Sequence, residues 1–437
     1  MENQGIRDAR TLGMPKMLVL GLQHMFAMFG ATVLVPALTG LSVSATLLFA
    51  GLGTLLFHFL AKGKVPAFLG SSFAYLAGYA AIAPNGEAAL LPYACVGVAC
   101  SGLLYLVLAA LVKSFGTERV MRFFPPIVTG PIIICIGMTL ANSAINNCNG
   151  NWGIALVAIV TVVVFNIWGK GMFKIVPILM GVLVSYAVAA VMGKVDFSGV
   201  ASAAWIGLPV KMENTVFSLI GNCDTNLLIT AIIAIMPIAF ATMIEHIGDI
   251  CAISSTVGEN FIEEPGLHRT LMGDGIATAI ASLFGAPANT TYGENTGVLA
   301  LTKVYDPLVV RIAAVFAIIA SFCPKFSALV SAMPVGTIGG VSLIIYGMIS
   351  AIGVRNLVEN RVDLTKSRNV IVASLIMSLA LGVTFSAAGA IKLPLGGITL
   401  SFSGLAVAAV VGIVVNAILP ENDFVFSSEY KHGKKKH

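Results

Sequence analysis

The sequence has few charged residues and lacks the short motifs of common hydrolytic enzymes. Only 10% of its 437 residues are Asp, Glu, Lys or Arg, whereas soluble globular proteins average about 25%. Neither an HExxH nor a GxSxG motif is present, so the motifs of a zinc hydrolase and of a serine hydrolase are missing. The seven cysteines form no CxxC pair and no metal-ligand spacing, which favours inert thiols. We therefore expect no enzyme activity, no bound metal and no cofactor.

Long apolar runs take the place of the missing charge. Hydrophobic residues make up 57% of the chain, and a helix that spans a bilayer needs about 20 mostly apolar residues. We predict an all-α polytopic membrane protein with fourteen spans. The polar start leads directly into an apolar run with no small-residue cleavage site, so no cleaved signal peptide is expected. The predicted spans are 16–40, 44–61, 65–83, 88–112, 126–145, 152–168, 173–193, 227–255, 270–287, 288–302, 308–323, 334–353, 370–389 and 398–419.

The positions of the basic residues support this number of spans. If both termini are cytoplasmic, all of the Lys and Arg residues lie in cytoplasmic loops except Lys194, Lys211, Lys325 and Lys392. This distribution follows the positive-inside rule, and a wrong number of spans would scramble it. The net charge of +5 thus reflects membrane topology, and no nucleic acid partner is expected.

The two halves of the chain share a short pattern. Ser71-Ser72-Phe73 in span 3 matches Thr290-Thr291-Tyr292 in span 10 as hydroxyl, hydroxyl and aromatic. Seven spans per half is an odd number, so the second half enters the membrane with opposite orientation. The sequence therefore predicts two inverted seven-span repeats, an architecture common in secondary transporters. The predicted divisions are residues 1–193, an extracellular linker at 194–226, residues 227–420, and a basic cytoplasmic tail at 421–437.

Spans 3 and 10 are rich in Gly, Ser, Thr, Asn and Pro, unlike lipid-facing helices. We expect them to lie inside the protein, where broken helices can present free N–H groups to a ligand. The alternative is that small residues simply permit close helix packing. That alternative does not explain Glu294, which lies in the middle of span 10.

Carboxylates within predicted spans are the strongest indication of function. Glu245 and Asp249 lie four residues apart in span 8, hence on one face of a helix. Placing an ionised side chain at membrane depth costs roughly 2.5–3.5 kcal/mol, so such residues usually mark a polar site or a proton path. Because two nearby carboxylates repel in a low dielectric, at least one should hold a proton near neutral pH. We interpret Glu245, Asp249 and Glu294 as groups of a proton-coupled carrier, and Asp274 as a residue at the boundary of span 9.

Other polar and aromatic residues within the predicted spans are candidates for packing, for internal hydrogen bonds or for lining the site. His246 is interpreted as a packing or hydrogen-bonding residue, since no second ligand pair accompanies it. Gln23 and His24 are adjacent within span 1, which suggests internal hydrogen bonds as either scaffold or site support. Phe73 and Tyr346 are candidates to line the site, because a flat heterocycle can be held between aromatic faces, although single aromatics in membrane helices more often pack.

At these residues the sequence resembles a known family. The run ENTGVLALTK at 294–303 fits the nucleobase–ascorbate transporter signature [QEP]-N-x-G-x(4)-T-[RKG]. QHMFAMFGATVLVPAL, GSSFAY, IEH, PGLHR, NTTYGEN and GGVSLIIYG occur in the order of that family's uracil-carrying members. The similarity extends over about residues 12–420.

The resemblance implies a fold and a set of site residues. A core domain would comprise spans 1–4 and 8–11, a gate domain spans 5–7 and 12–14, and spans 3 and 10 would each carry a short β-strand. Glu245, Glu294 and Asp249 would serve proton coupling, with His24, Gln23 and Asn295 in support. The implied substrate-binding residues are Glu245, Glu294, Phe73, Ser72, Ala31, Tyr292, Gly293 and Tyr346, some of them through backbone groups.

The implied function is proton-coupled import of uracil across the bacterial cytoplasmic membrane by alternating access. The alternative is a purine permease for xanthine or urate, whose members tend to have glutamine where this chain has Glu294. An anion carrier or a passive channel fits the paired carboxylates less well. Expected partners are uracil, protons and the lipid bilayer, with a homodimer left open. One residue departs from the family pattern: Asp249 stands where the compared members have histidine, a difference that bears on the pH dependence of coupling.

Overall fold

The computed structural model describes residues 5–395 and 398–420 and is mostly helical. Nineteen α-helices are found in the described part of the chain. Apolar runs form them, and polar or special residues end them: Ser42 caps α2, Asn151 caps α7, and Gly40 takes the left-handed conformation after α1. The helices are α1 Met14–Thr39, α2 Val43–Leu60, α3 Leu76–Ile82, α4 Leu91–Phe115, α5 Thr117–Met121, α6 Pro126–Asn149, α7 Trp152–Trp168, α8 Met172–Ile175, α9 Pro177–Val191, α10 Ser198–Ser202, α11 Thr225–Ile235, α12 Ala239–Val257, α13 Leu267–Leu283, α14 Gly293–Thr302, α15 Pro307–Ser321, α16 Pro324–Ser331, α17 Val335–Glu359, α18 Ser367–Thr384 and α19 Gly404–Ile418.

Many of these helices suit a bilayer. In the described residues, seven helical segments are long and apolar enough to cross one, or eight if the bent pair α15–α16, with its 87° angle, counts as one span. The seven are α1, α2, α4, α6, the continuous stretch α11–α12, α17 and α18. The remaining predicted spans contain shorter helices, including α3, α7, α9, α14 and α19. The prediction of a polytopic helical membrane protein is confirmed at this level.

Two short strands meet inside the helical bundle. β1 (Leu69–Ser71) and β2 (Asn289–Thr291) pair antiparallel, with Gly70 opposite Thr290. They lie in predicted spans 3 and 10, where the resemblance implied strands. A Cβ atom on Gly70 would lie 2.5 Å from the Tyr292 ring, so only glycine permits this close approach.

Side chains from neighbouring helices satisfy the edges of this strand pair. Thr54 Oγ1 of α2 accepts a hydrogen bond from Leu69 N at 2.9 Å. Thr278 Oγ1 of α13 donates to Asn289 O at 2.8 Å, and Asn289 Nδ2 donates to Phe49 O at 3.0 Å. Buried backbone groups need such partners, and these bonds therefore fix β1 and β2 between α2 and α13.

The helices pack in two groups. In the first group α13 contacts α2 and α4, and α15 contacts α1 and α2. In the second group α17 contacts α6 and α7, α7 contacts α9, and α18 contacts α6 and α19. Glycines allow close crossings in both: a Cβ on Gly102 of α4 would lie 2.5 Å from Gly275 O, and one on Gly353 of α17 would lie 2.7 Å from Gly130 O.

The end of the chain differs from the predicted spans. Helix α18 ends at Thr384, before the predicted limit of 389, and α19 begins at Gly404, after the predicted start at 398. The segment between them forms an antiparallel hairpin of β3 (Ala390–Leu395) and β4 (Ile398–Ser403). Apolar and polar residues alternate in both runs and Gly-Gly separates them, which is a hairpin signal that the span assignment overlooked.

The predicted linker and tail have separate outcomes. Residues 194–226 hold only short helices, α10 and two 3₁₀ turns at Met212–Asn214 and Val216–Leu219, which agrees with a mixed connecting segment. The predicted basic tail at 421–437 lies outside the described residues.

Candidate functional site

One face of α12 carries two carboxylates beside open space. Glu245 and Asp249 are half-buried, and Gly248, on the same face, is exposed. A Cβ atom on Gly248 would meet no atom within 4 Å. Ile244 and Ile247, on other faces, are buried. The four-residue spacing therefore places both acids on one face of α12, as the sequence predicted, beside the exposed Gly248.

The start of α14 lies against this face. Glu294 occupies the first turn of α14, is half-buried, and lies within electrostatic range of Glu245. Thr291 Oγ1 donates to Asp249 Oδ2 at 2.8 Å, and Asp249 Oδ1 is 3.9 Å from the position of a Cβ on Gly293. The structure thus brings together the three predicted carboxylates. The first N–H groups of a helix lack intrahelical partners and favour negative charge, so the N-terminus of α14 suits this acidic cluster.

Aromatic residues from both packing groups meet nearby. Phe73 follows β1 in a 3₁₀ turn, and its ring centroid is 6.0 Å from that of Tyr346 on α17, with an edge-to-face angle of 76°. Beside Tyr346, Gly347 is exposed, and a Cβ there would meet no atom within 4 Å. The two predicted aromatics are therefore in contact, and they join the turn after β1 to α17.

The other predicted substrate contacts are placed less directly. Tyr292 points into the strand pair, where its hydroxyl donates to Ser71 O at 2.7 Å and its backbone N–H donates to Phe68 O at 3.0 Å, so both of these donors already have partners. Gly293 is exposed next to Asp249, whereas Ala31 on α1 is buried. Ser72 is buried and its Oγ has no hydrogen-bond partner among the described residues, which leaves a hydroxyl for further hydrogen bonding.

The predicted supporting residues link α1 to α14. Asn295 Nδ2 donates to His24 O at 3.0 Å and lies 3.2 Å from His24 Nδ1. Both side chains are buried. If Nδ1 accepts from the amide, the ring proton is on Nε2. Gln23 is adjacent, and its buried Oε1 has no partner among the described residues. The His24–Asn295 contact fixes the helix that carries Glu294 against α1.

The sequence interpretation of Asp274 is wrong. Asp274 is fully buried within α13 and not at a boundary. Its Oδ2 lies 3.1 Å from Nδ1 of the equally buried His246, a distance typical of an ion pair, although the atoms do not meet hydrogen-bond geometry. The rings of Phe57 and Tyr105 meet the His246 ring edge to face, with centroids 6.2 and 6.4 Å away. The sequence feature that could have predicted this pair is a carboxylate in one apolar helix and a histidine in the helix before it.

Exposure around the carboxylates is one-sided. On α12, Ala252 and Ser255 are exposed on the C-terminal side of Asp249. On α14, Gly297 and Ala300 are exposed on the C-terminal side of Glu294. Ala241, one turn before Glu245, is buried. Open space therefore continues from the acids toward the C-terminal ends of α12 and α14 and is closed in the opposite direction.

The chemistry of the site is that of hydrogen-bond acceptors beside aromatic rings. Within the described residues no group of three or more His, Cys, Asp and Glu side chains is arranged to hold a metal ion. The carboxylates accept hydrogen bonds from N–H donors, and the ring of Phe73 or Tyr346 offers a flat apolar surface. This combination fits a small flat ligand with N–H groups.

Comparison with known proteins identifies relatives. Residues 15–389 match the family described as "Permease family". The uracil permease of Bacillus caldolyticus is 40% identical over 445 residues, covering 99% of this chain and 98% of its own. The uracil permease of Bacillus subtilis (strain 168) is 39% identical, covering 96% and 95%. That of Escherichia coli (strain K12) is 38% identical, covering 91% and 90%.

Solved structures show the same fold at low identity. The transmembrane domain of the cyanobacterial bicarbonate transporter BicA aligns with a TM-score of 0.57 and 14% identity, covering 94% of this chain and 99% of that one. SLC26A9 aligns with a TM-score of 0.62 and 12% identity, covering 92% of this chain and 64% of that one. At such identities the alignments establish the fold alone.

These matches confirm the resemblance seen in the sequence motifs. The relatives are named permeases over nearly their full length, which confirms that the chain is not an enzyme. The chain is a multi-pass integral membrane permease and belongs to the nucleobase–ascorbate transporter family.

Proposed function

We propose that this permease imports uracil across the bacterial cytoplasmic membrane together with protons. The observation that carries the proposal is the convergence of the half-buried Glu245 and Glu294, from the contacting helices α12 and α14, beside exposed positions of both helices. Phe73, which contacts Tyr346, lies two residues before Tyr75, whose hydroxyl is 3.2 Å from Thr242 Oγ1 on α12. Uracil has two N–H donors for carboxylates and two carbonyls for backbone N–H groups, and its flat ring can stack on an aromatic face. The names of the relatives support uracil as the substrate and do not favour a purine such as xanthine or urate.

The acidic cluster supports proton coupling. Among the ion pairs of the described residues, none involves Glu245, Asp249 or Glu294. Unpaired carboxylates in a low-dielectric interior strongly disfavour full ionisation, so protons must neutralise part of the cluster. A proton that enters with the substrate and leaves toward the cytoplasm would couple uptake to the proton gradient, which serves as the energy source without any cofactor.

We also propose fourteen spans in two inverted repeats. The antiparallel pairing of β1 with β2 is what two repeats of opposite orientation would produce at their crossing. Each strand is followed by a short helical segment, Phe73–Ile82 after β1 and α14 after β2. The first packing group would form the core domain and the second the gate domain.

Alternating access follows from the one-sided opening. With both termini in the cytoplasm, Arg269 at the start of α13 and Lys303 just after α14 would lie on the cytoplasmic side by the positive-inside rule. The exposed positions on the C-terminal side of Asp249 and Glu294 would then lead to the cytoplasm. The opposite end of α12, where Ala241 is buried, would be closed to the extracellular side. Motion of the core domain against the gate domain would reverse this access.

Uptake of radiolabelled uracil tests the function. The permease is produced in cells that lack their own uracil carrier and compared with cells carrying the empty vector. We expect accumulation above the external concentration, loss of accumulation with a proton-collapsing ionophore, and competition by unlabelled uracil but not by xanthine or adenine. Competition by xanthine instead would replace uracil with a purine as substrate. If uracil only equilibrated across the membrane and the ionophore had no effect, the proposed proton coupling would be wrong.

A further inference from the structure

Residues 5–12 lie across the connection that leaves α14, and we call them the N-terminal strap. Ile6 N donates to Lys303 O at 2.7 Å, and Tyr305 N donates to Ile6 O at 2.8 Å, so that Ile6 and Val304 form a parallel bridge. Ala9 N donates to Asp306 Oδ2 at 2.8 Å. Three backbone donors therefore fasten the strap to the residues that join α14 to α15.

Arg7 extends from the strap to the end of α12. Its Nη2 donates to the carbonyl oxygen of Val257, the last residue of α12, at 3.0 Å, and its guanidinium pairs with Glu259. The last carbonyls of a helix lack intrahelical partners and carry partial negative charge, so a cation is favoured there. The strap therefore links the C-terminal end of α12 to that of α14.

These two helices carry the acids of the proposed site. Val257 follows Asp249, and Thr302 follows Glu294, by eight residues each, so both junctions lie about 12 Å along the helix axes from the carboxylates. Between these levels Ala252 on α12 and Gly297 on α14 are exposed. The two helices also contact each other directly, and the Thr291–Asp249 hydrogen bond joins α12 to β2, just before α14. The strap is therefore a second connection, at their C-terminal ends.

We propose that Arg7 is a positioning residue which, through the strap, holds the ends of α12 and α14 together and thereby sets the spacing of Glu245 and Asp249 relative to Glu294. The proposal deepens the proposed uracil transport and rests on it. Arg7 does not touch the substrate. Its expected effect is on the affinity for uracil, since the strap determines how well both acids reach one ligand at once.

Charge reversal is the sharpest change. An exposed ion pair is weak by itself, but Arg7→Glu would place a carboxylate against both Glu259 and the C-terminal carbonyls of α12. The matched control is Arg10→Glu, which makes the same change of charge three residues further along the strap. Arg10 is exposed, and in the described part of the chain its side chain has no hydrogen bond or ion pair.

The experiment measures the KM and maximal rate of uracil uptake, with permease abundance in the membrane determined for each variant. We expect Arg7→Glu to raise KM several-fold at nearly unchanged maximal rate per permease. Arg7→Glu combined with Glu259→Arg should return KM toward the wild-type value, and Arg10→Glu should leave it unchanged. A KM for Arg7→Glu equal to wild type, with only abundance reduced, would make the strap a folding element and overturn the proposal.

A second variant covers the case in which charge reversal prevents folding. Ala9→Pro removes the N–H that donates to Asp306, at the first position of a 3₁₀ turn after an extended Asp8, where proline is tolerated. It should also raise KM, and an unchanged KM would count against the strap. A wild-type permease that takes up no uracil would instead overturn the proposed function itself.

Discussion

The two segments that contain β1 and β2 each consist of a short strand followed by a helical segment, but their side chains differ in chemistry. Ser71-Ser72-Phe73 and Thr290-Thr291-Tyr292 share a sequence pattern, although Ser71 ends β1 and Thr290 lies in the middle of β2. The Phe73 ring contacts Tyr346, while the Tyr292 hydroxyl binds back to Ser71 O. Two residues further on, the first segment has Tyr75 and the second has Glu294. One segment thus contributes an aromatic surface and the other a carboxylate.

Within the proposed inverted repeat, this difference shows how two related halves can build an asymmetric site. The shared backbone brings two strand ends to one place, and each half then provides a different kind of group. Tyr75 is buried, and its hydroxyl lies 3.2 Å from Thr242 Oγ1 on α12. It therefore supports the helix of Glu245, whereas Glu294 lies beside the open space. In the proposed repeat, symmetry would determine the position of each group, and the side chain its role.

The largest expected effect comes from removing the carboxylate of the second segment. Glu294→Gln should abolish concentrative uracil uptake while the protein still reaches the membrane, because an amide can hydrogen-bond but cannot cycle a proton. The control is Tyr75→Phe at the matching position of the first segment, which should retain accumulation. The measurement is uptake against a concentration gradient at equal abundance. Accumulation by Glu294→Gln would show that this acid does not couple transport to protons.

A second prediction concerns Asp249, which Thr291 holds beside the start of α14. Since like charges cannot all ionise cheaply at depth, the acidic cluster should titrate as a unit, and uptake should fall at alkaline pH when the shared proton is lost. Asp249→Asn removes one negative charge, so the loss of uptake should begin at a lower pH. Asp249→His should also alter the pH of half-maximal uptake while uracil remains the substrate.

A pH series of uracil uptake for wild type, Asp249→Asn and Asp249→His provides the test. Thr291→Val is a useful companion, because it removes the hydroxyl that donates to Asp249 and keeps the shape of the side chain. Three superimposable profiles for wild type and the two Asp249 variants would remove Asp249 from the proton path. The acids of the site would then be reduced to Glu245 and Glu294.

A third prediction tests the aromatic surface of the first segment. Phe73→Ala should weaken uracil binding by roughly 0.5–1.5 kcal/mol if the ring stacks on the base, a range measured for aromatic pairs. This corresponds to a change in Kd of about twofold to tenfold. Isothermal titration of the purified permease with uracil measures it. An unchanged Kd in a folded variant would make Phe73 a packing residue for Tyr346.

The sequence predicted site residues best where a polar or charged residue occurs in an otherwise apolar span. Glu245, Asp249 and Glu294 were found because carboxylates are costly at depth, and the strands of spans 3 and 10 lie where Gly, Ser and Thr replace apolar residues. The β3–β4 hairpin was missed although its alternation is visible, because a hydropathy window averages over both faces of a strand.

Other features depend on contacts that the sequence does not reveal. Asp274 is buried beside His246 on the neighbouring helix, and the rings of Phe57 and Tyr105 pack on His246 from elsewhere in the chain. The contact of Arg7 with Val257 joins residues 250 positions apart. Composition and local spacing contain no information about such partners, which are set by how the helices pack.

The smallest expected effect comes from the aromatic residue of the second segment. Tyr292→Phe removes the hydroxyl that donates to Ser71 O and lies 3.4 Å from Thr32 Oγ1, and leaves the ring in place. The hydroxyl also lies 3.3 Å from Ser71 Oγ, and the loss of these buried hydrogen bonds should lower stability by about 0.5–1.5 kcal/mol for each, seen as a decrease in the Tm of the purified permease. Because this hydroxyl faces β1 and not the open space, the Kd for uracil should stay at the wild-type value. The opposite pattern, an unchanged Tm with weakened binding, would show that Tyr292 contacts the substrate and that the two matching aromatics share one role.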